Sequence, residues 1–247
     1  MSAYGLIGLS LDHSFSPAFF RQFFIERGLS NHSYSSIEIK DGEELKRFFR
    51  TSICQYSGLN VTLPYKEAVM PFLHQLDPIA QSIAAVNVIK VGTGLQLKGY
   101  NTDGPAFLDT LKEWDLPEMG FALVLGNGGA SKAVQWALNQ MAYTYSIVSR
   151  GVSKETIEYA HLQKRLVEKA SLIINTTPLG MYPKVKECPP FPFDGINSTH
   201  KVYDLIYNPE KTLFLQLAEA KGARIKNGHE MLEKQALLSW KIWQQAE

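Results

Sequence analysis

Short apolar segments alternate with amphipathic segments along this chain. Apolar runs at residues 4–9, 56–61 and 121–125 are bounded by glycine or polar residues, which is typical of buried strands. Between them, apolar residues recur at helical spacing, as in the phenylalanines of residues 19–24. This alternation predicts an α/β fold with mostly parallel sheets covered by helices on both faces. Such sheets bind ligands beyond the carboxyl ends of their strands, so polar residues that follow a strand are candidates for a functional site.

The same pattern predicts the remaining elements. Further strands are expected at residues 34–39, 85–89, 95–99, 144–148, 171–175, 202–207 and 223–226. Helices are expected to begin at residue 16 or 17, near 212 and after 228. Another is expected at 42–50, and three more are expected to end near residues 84, 114 and 142. The glycines at 92–94 predict a hairpin. Only about twenty residues separate Arg150 from the strand at 171, which is short for a βαβ unit, so we expect a truncated or missing helix there.

The segment 58–66 joins a strand end to a group of polar side chains. Asn60 and Thr62 occupy the turn, and a helix is predicted to open at Pro64, because proline is tolerated in a first helical turn. Lys66 would then face the positive end of the helix dipole, which disfavours the charged amine and favours proton transfer. A solvated lysine in a first turn explains this stretch alone equally well.

Other polar residues follow the neighbouring strands. The hydroxyls of Ser14 and Ser16 suit hydrogen bonds to a carboxylate or to hydroxyls, although a helix N-cap at Ser16, followed by Pro17, is the simpler interpretation. Asp103 precedes a helix and is also a common N-cap residue. A carboxylate near Lys66 would nevertheless complete an acid and base pair.

A glycine turn follows the strand at 121–125 and precedes a helix. Residues 126–130 read Gly-Asn-Gly-Gly-Ala, a phosphate cradle in which the backbone can approach a pyrophosphate closely. The motif is incomplete, since Ser131 takes the place of the third glycine. After the next strand, Arg150 with Lys154 favours the extra phosphate of NADP over the ribose hydroxyls of NAD. The alternative for Arg150 is a solvated surface residue.

Composition excludes several classes of protein. The 247 residues carry a formal net charge of +1 with no run of five or six like charges, which argues against nucleic-acid partners or a membrane surface. We find neither a signal peptide nor an apolar run of about eighteen residues. Cys54 and Cys188 are far apart and no histidine has metal-site spacing, so we expect no disulfide, no metal and a reducing cytoplasm.

Taken in order, these motifs resemble those of the shikimate dehydrogenase family along nearly the whole chain. No single motif is decisive, but the ordered set is specific. It comprises Ser14-Phe15-Ser16-Pro17 and residues 60–66, 85–87, 101–104, 126–130, 175–181 and 235–236.

The resemblance implies reversible reduction of 3-dehydroshikimate to shikimate by NADPH, within aromatic amino-acid biosynthesis. It implies a substrate-binding domain at residues 1–103 plus 229–247, to which the last helix returns, and an NADP-binding Rossmann-like domain at 104–228. The substrate is a small molecule, and the protein is expected to be a monomer or a homodimer.

The resemblance also assigns roles to individual residues. Lys66 and Asp103 would form the catalytic pair. The implied substrate ligands are Ser14, Ser16 and Tyr207 near the carboxylate, and Asn60, Thr62, Asn87, Asp103 and Gln235 at the ring hydroxyls. The implied NADP ligands are Gly126, Asn127, Gly128, Gly129 and Ala130 at the pyrophosphate, Ser149, Arg150 and Lys154 at the adenosine phosphate, and Leu205 and Gly228 near the nicotinamide.

The chain departs from the family pattern at several positions. Phe19-Phe20 replaces the expected His-Asn after the serine pair, and Ser149-Arg150-Gly151 replaces Asn-Arg-Thr at the cofactor site. The change at the cofactor site keeps the charge of Arg150 and removes two hydrogen-bonding side chains. Two alternative functions are also open. One is a quinate/shikimate dehydrogenase that uses NAD, which Arg150 argues against. The other is a ligand-binding sensor on the same scaffold, which would not need the pair formed by Lys66 and Asp103.

Overall fold

Two six-stranded sheets organise the chain in the computed structural model, which describes residues 2–12, 14–151 and 155–246. The chain separates into two units, one made of Met1–Thr102 with Gln235–Glu247 and the other of Asp103–Lys234. The long C-terminal helix contributes to both. Among the described residues, no helix is long and apolar enough to cross a membrane.

The first unit contains six strands and three complete helices. The strands are β1 Ser2–Gly8, β2 His32–Glu38, β3 Gly58–Val61, β4 Gln75–Leu76, β5 Val88–Val91 and β6 Leu97–Tyr100, and the helices are α1 Phe15–Glu26, α2 Gly42–Thr51 and α3 Pro78–Ile83. The strand order is β2-β1-β3-β5-β6-β4.

Three of the five strand pairs in this first sheet are parallel, as the strand and helix alternation predicted, and the other two are antiparallel. β1 pairs parallel with both β2 and β3, but β5 runs antiparallel to β3 and β6. The predicted hairpin at 92–94 is confirmed and supplies the physical reason, since so short a connection can join only antiparallel strands. Gly92 N closes it by donating to Gln96 O at 2.8 Å.

The second unit contains the other six strands, and every pair is parallel. The strands are β7 Phe121–Leu125, β8 Thr144–Ser149, β9 Thr156–Glu158, β10 Leu172–Asn175, β11 Lys201–Asp204 and β12 Arg224–Lys226, and the helices are α4 Asp103–Lys112, α5 Gly129–Gln140, α6 Lys164–Lys169 and α7 Leu213–Glu219. The last helix, α8 His229–Gln244, begins in this unit and continues into the first from Gln235 onwards. The helix α6 has six residues, which confirms the truncated connection. The three-residue strand β9 was not predicted.

The order of this second sheet, β12-β11-β10-β7-β8-β9, reverses direction between β7 and β10. The chain winds from β7 outwards to β9, then returns and winds from β10 outwards to β12. This is a doubly wound, Rossmann-like arrangement. Its topological switch point, at the carboxyl ends of β7 and β10, is where such sheets bind ligands.

An aromatic cluster holds α8 against the first sheet. The Trp243 ring stacks on Tyr4 with centroids 4.7 Å apart, and Trp243 Nε1 donates to Ile89 O at 3.1 Å. Phe20, fully buried on α1, packs against the same indole. The indole ring also lies directly over the backbone of Gly58, where a Cβ would overlap its Cδ1 and Nε1 atoms.

We therefore expect Gly58→Ala to destabilise the fold by about 2–3 kcal/mol, because an added methyl would displace the Trp243 ring from its packed position. The measurement is the free energy of unfolding in urea, followed by circular dichroism. Gly42→Ala is the matched control, since its Cβ would meet no atom within 4 Å. Equal stability of the two variants would contradict the packing argument.

Candidate active site

The loop after β1 carries the two predicted serines into the start of α1. The N-cap of α1 is Ser14, whose φ and ψ of −76° and 135° are extended, so the interpretation of Ser16 as the N-cap is wrong. Within the part of the chain that the structure describes, the Ser14 side chain makes no capping hydrogen bond. Ser16 is buried in the first turn, and His13 lies outside the described residues.

The amide of Asn60, at the carboxyl end of β3, lies at the centre of a buried hydrogen-bond network. The Tyr34 hydroxyl donates to Asn60 Oδ1 at 2.8 Å. Asn60 Nδ2 donates to Ser239 Oγ at 3.0 Å and to Asn87 O at 3.3 Å. Both amide protons are thus used within the protein, and one lone pair of Oδ1 is left for any further contact.

Asn87 is fixed by the chain that leads out of the first unit. Its Oδ1 accepts from Thr102 N at 2.8 Å, and its Nδ2 donates to Thr102 Oγ1 at 2.9 Å. Beside it, Asn101 Nδ2 donates to Ala85 O at 2.9 Å. These bonds place Thr102 next to the β3 and β5 ends, directly before Asp103 in sequence.

Gln235 reaches the same region from α8. Its side chain is buried, and its backbone carbonyl accepts from Ser239 Oγ at 2.8 Å. Because Ser239 Oγ also accepts from Asn60, α8 is tied to the strand ends through one hydroxyl. In the first unit, the structure thus joins Asn60 and Asn87 to the backbone of α8 at Gln235.

The predicted helix at Pro64 is wrong. Residues 63–69 form turns, in which Tyr65 N donates to Thr62 O at 2.9 Å, and a 3-10 helix follows at Met70–Phe72. Tertiary anchors explain the difference, since the buried Tyr65 donates from its hydroxyl to Ile39 O at 2.6 Å. Lys66 is half-buried in these turns, so the argument from a helix dipole no longer applies to it.

In the second unit, the glycine turn joins β7 to α5, as predicted, and lies at the switch point. Gly126 has a φ of +107°, and a Cβ there would lie 2.6 Å from Thr176 Oγ1, so only glycine suits the position. Gly128 caps the twelve-residue helix α5, and a Cβ there would meet nothing within 4 Å. An open backbone at a helix N-terminus fits the pyrophosphate of a dinucleotide. Ser131, in place of the third glycine, is fully buried against the fold.

The end of β8 carries the predicted phosphate-binding residues. Ser149 Oγ donates to Gly151 O at 3.0 Å, so its hydroxyl orders the turn that follows the strand. Arg150 is exposed. Burial raises the pKa of Tyr159 to about 12, and the positive charge of Arg150 opposes this rise. Lys154 lies outside the described residues.

A buried carboxylate organises the ends of β10 and β11. Asp204 Oδ1 accepts from Asn175 Nδ2 at 3.1 Å and from Ile206 N at 3.0 Å, and Oδ2 accepts from Thr212 Oγ1 at 2.6 Å. Burial raises the pKa of Asp204 to about 6, and these three hydrogen bonds oppose the rise. Burial raises the pKa of the Cys188 thiol to about 11, and the negative charge of Asp204 adds to this rise.

The Asp204 cluster positions the remaining predicted residues of this unit. Gly228 N donates to Ile206 O at 3.1 Å, and a Cβ at Gly228 would overlap Leu205 O. The structure therefore brings Leu205 and Gly228 together. Tyr207 is half-buried and follows Ile206 directly.

The predicted catalytic pair is divided between the units. Lys66 belongs to the first, whereas Asp103 is the buried first residue of α4 in the second. Their pairing stays a prediction. Among the described residues, no three or more His, Cys, Asp or Glu side chains are grouped so as to hold a metal ion.

Sequence patterns missed three residues that organise the site. Tyr34 and Ser239 bond the Asn60 amide, and Asp204 holds two strand ends together. Asp204 ends an apolar strand, which was a usable signal for a buried carboxylate. Ser239 gave no signal, because it lies 179 residues from Asn60 in sequence.

The fold and the glycine turn define a two-unit α/β protein with a dinucleotide-binding, Rossmann-like unit. Residues 6–89 match the family model of the shikimate dehydrogenase substrate binding domain. Over 260 aligned residues the chain is 37% identical to the shikimate dehydrogenase (NADP(+)) of Desulforamulus reducens, covering 97% of this chain and 88% of that protein. The chain belongs to the shikimate dehydrogenase family.

Solved structures agree with this assignment. The shikimate dehydrogenase of Aquifex aeolicus superposes with a TM-score of 0.89 and 34% identity, over 100% of this chain and 94% of that one. The enzyme from Thermus thermophilus, solved in complex with NADP(H) and shikimate, superposes with a TM-score of 0.83 and 31% identity, over 99% of this chain and 94% of that one.

The raised pKa of Asp204 predicts a specific pH dependence of stability. Between the ordinary value of 3.8 and about 6, the folded state holds a proton that the unfolded chain releases. The contribution of this group to the free energy of unfolding therefore falls as pH rises through that window, by about 3 kcal/mol in total.

Urea unfolding of the native chain and of Asp204→Asn at pH 4, 5, 6 and 7 measures this effect. Other carboxyl groups titrate alike in both proteins, so they cancel in the difference. We expect the stability of the native chain relative to the variant to decrease from pH 4 to pH 7. A difference that does not change with pH would show that Asp204 titrates normally.

Proposed function

We propose that this chain catalyses the reversible, NADP-dependent reduction of 3-dehydroshikimate to shikimate. The observation that carries the proposal is that one chain combines a Rossmann-like glycine turn at 126–130, in the second unit, with the buried polar network of Asn60, Asn87 and Ser239 in the first. Family membership over nearly the whole chain supports the same activity.

Each unit would bind one reactant. The Ser14 and Ser16 hydroxyls suit the substrate carboxylate, and the amides at the β3 and β5 ends suit its ring hydroxyls. The glycine turn and the α5 N-terminus suit the pyrophosphate, with Arg150 at the additional phosphate of NADP. The proposed domains are a substrate-binding domain at residues 1–103 plus 229–247 and a cofactor-binding domain at 104–228, which differ from the two observed units in the placement of Asp103 and of residues 229–234.

Proton transfer is assigned to Lys66 with Asp103. When bound, the nicotinamide of NADP would supply or accept the hydride. The Lys66 ammonium would give its proton to the substrate carbonyl oxygen during reduction and take it back during oxidation, while the Asp103 carboxylate would hold that hydroxyl in place. The presence of both residues disfavours a sensor without catalysis.

The reducing cytoplasm is the proposed location. Cys54 and Cys188 are both free, and Cys54 is exposed, so the protein relies on no disulfide between them.

The activity is tested with the purified protein and shikimate or quinate, each with NADP or NAD, by following reduction of the nicotinamide. We expect fast turnover only with shikimate and NADP, because Arg150 matches the additional phosphate. Turnover with quinate or with NAD would favour the broader dehydrogenase. Binding of these ligands without turnover would favour the sensor.

The role of Lys66 is tested by Lys66→Met, which removes the transferable proton and nearly keeps the side-chain length. We expect turnover to fall by at least about 100-fold while the Kd for NADP is unchanged. Lys46→Met is the control, since Lys46 forms an exposed ion pair with Glu43 on α2 and should retain activity. Turnover close to that of the native chain in Lys66→Met would exclude the proposed role.

A further inference from the structure

We infer that Tyr34 is a positioning residue for the substrate site, acting through the amide of Asn60. The inference rests on the proposed function and adds to it a residue outside the family motifs described above. Tyr34 lies on β2, whereas Asn60 lies on β3, and the two strands are separated by β1 in the sheet. The phenol therefore spans a neighbouring strand to reach the amide.

In this network the Tyr34 hydroxyl acts as a hydrogen-bond donor to Asn60. The Asn87 carbonyl can only accept, so it fixes Nδ2 of Asn60 on its side of the amide, where Nδ2 also donates to Ser239 Oγ. Oδ1 then faces Tyr34, and the hydroxyl gives its only proton to that oxygen at 2.8 Å. Without the hydroxyl, the buried amide oxygen would lose this donor and the amide would be held less firmly.

The Tyr34 phenol is protonated over the whole physiological range. Burial raises its pKa well above its usual range, so the hydroxyl keeps the proton that it donates to Asn60. The Tyr34 ring is itself held by stacking on Phe20, with centroids 4.7 Å apart and planes at 14°.

These contacts change the role that the family motif implies for Asn60, from a substrate ligand to a group that organises the site. Its two amide protons are used by the protein, so it can offer the substrate at most one acceptor contact. Its main effect is to hold the backbone carbonyl of Asn87 and the hydroxyl of Ser239, which in turn donates to the backbone carbonyl of Gln235. The side chains of Asn87 and Gln235 are then the groups that would bind the ring hydroxyls, and Tyr34 holds the amide that contacts the backbone beside them.

The test is Tyr34→Phe, which keeps the stacked ring and removes only the hydroxyl. We expect the KM for shikimate to rise about 5- to 10-fold, the loss associated with one hydrogen bond, while kcat changes less than about twofold. The KM for NADP should not change. Calorimetric titration with shikimate should show the same loss in affinity without turnover.

Tyr143→Phe is the matched control, since the Tyr143 hydroxyl donates to Pro117 O at 2.8 Å in the other unit. It should lower thermal stability similarly and leave both KM values unchanged. Ser239→Ala removes the second partner of the amide and should raise the KM for shikimate in the same direction. In an Asn60→Ala background, Tyr34→Phe should cause no further rise, because its route of action is gone.

An unchanged KM for shikimate in Tyr34→Phe, with a native chain that turns shikimate over, would overturn the inference. An equal rise of KM in the Asn60→Ala background would overturn the route through Asn60. A native chain that neither binds nor turns over shikimate would instead overturn the proposed function itself, so the two failures are distinguishable.

Discussion

Buried polar side chains at the ends of strands must find hydrogen-bond partners, and this constraint shapes both units of the protein. In the first, Asn60 is 4% exposed and has its two amide protons and its oxygen engaged. In the second, the fully buried Asp204 accepts three hydrogen bonds. An unpaired group at either position would cost about 1–3 kcal/mol or more, so each cluster forms as a whole.

The two clusters satisfy the hydrogen bonds of their buried polar groups with different electrostatics. The Asn60 network is neutral, so its orientation is set by donor and acceptor matching and is insensitive to pH in the physiological range. The Asp204 cluster offers three donors to one carboxylate, yet burial still raises the pKa of that carboxyl to about 6. The neutral network lies beside the predicted substrate residues, whereas the ionisable one supports the loops beside the glycine turn.

Local sequence predicted those features that depend on local interactions. The strand β7, the hairpin at 92–94, the glycine turn and the short helix α6 follow from apolar runs, turn residues and spacing. The prediction of a helix at Pro64 is wrong because the Tyr65 hydroxyl donates to a backbone carbonyl distant in sequence, that of Ile39, and this contact holds the segment in turns. Tyr34 and Ser239 could not be found by pattern either, since their roles arise only when α8 and β2 meet the end of β3.

The position of Asn60 shows why a motif can identify a site without identifying the role of each residue. The motif at 60–66 places an amide, a hydroxyl and an amine next to one another, and chemistry alone makes all three potential ligands. In the folded protein the amide forms internal hydrogen bonds, with partners on β2 and α8. An amide whose rotamer is locked by three partners loses little further freedom when a ligand arrives, so the groups beside it are held ready for binding. The organisation of the proposed substrate site therefore depends on residues that need not touch the substrate.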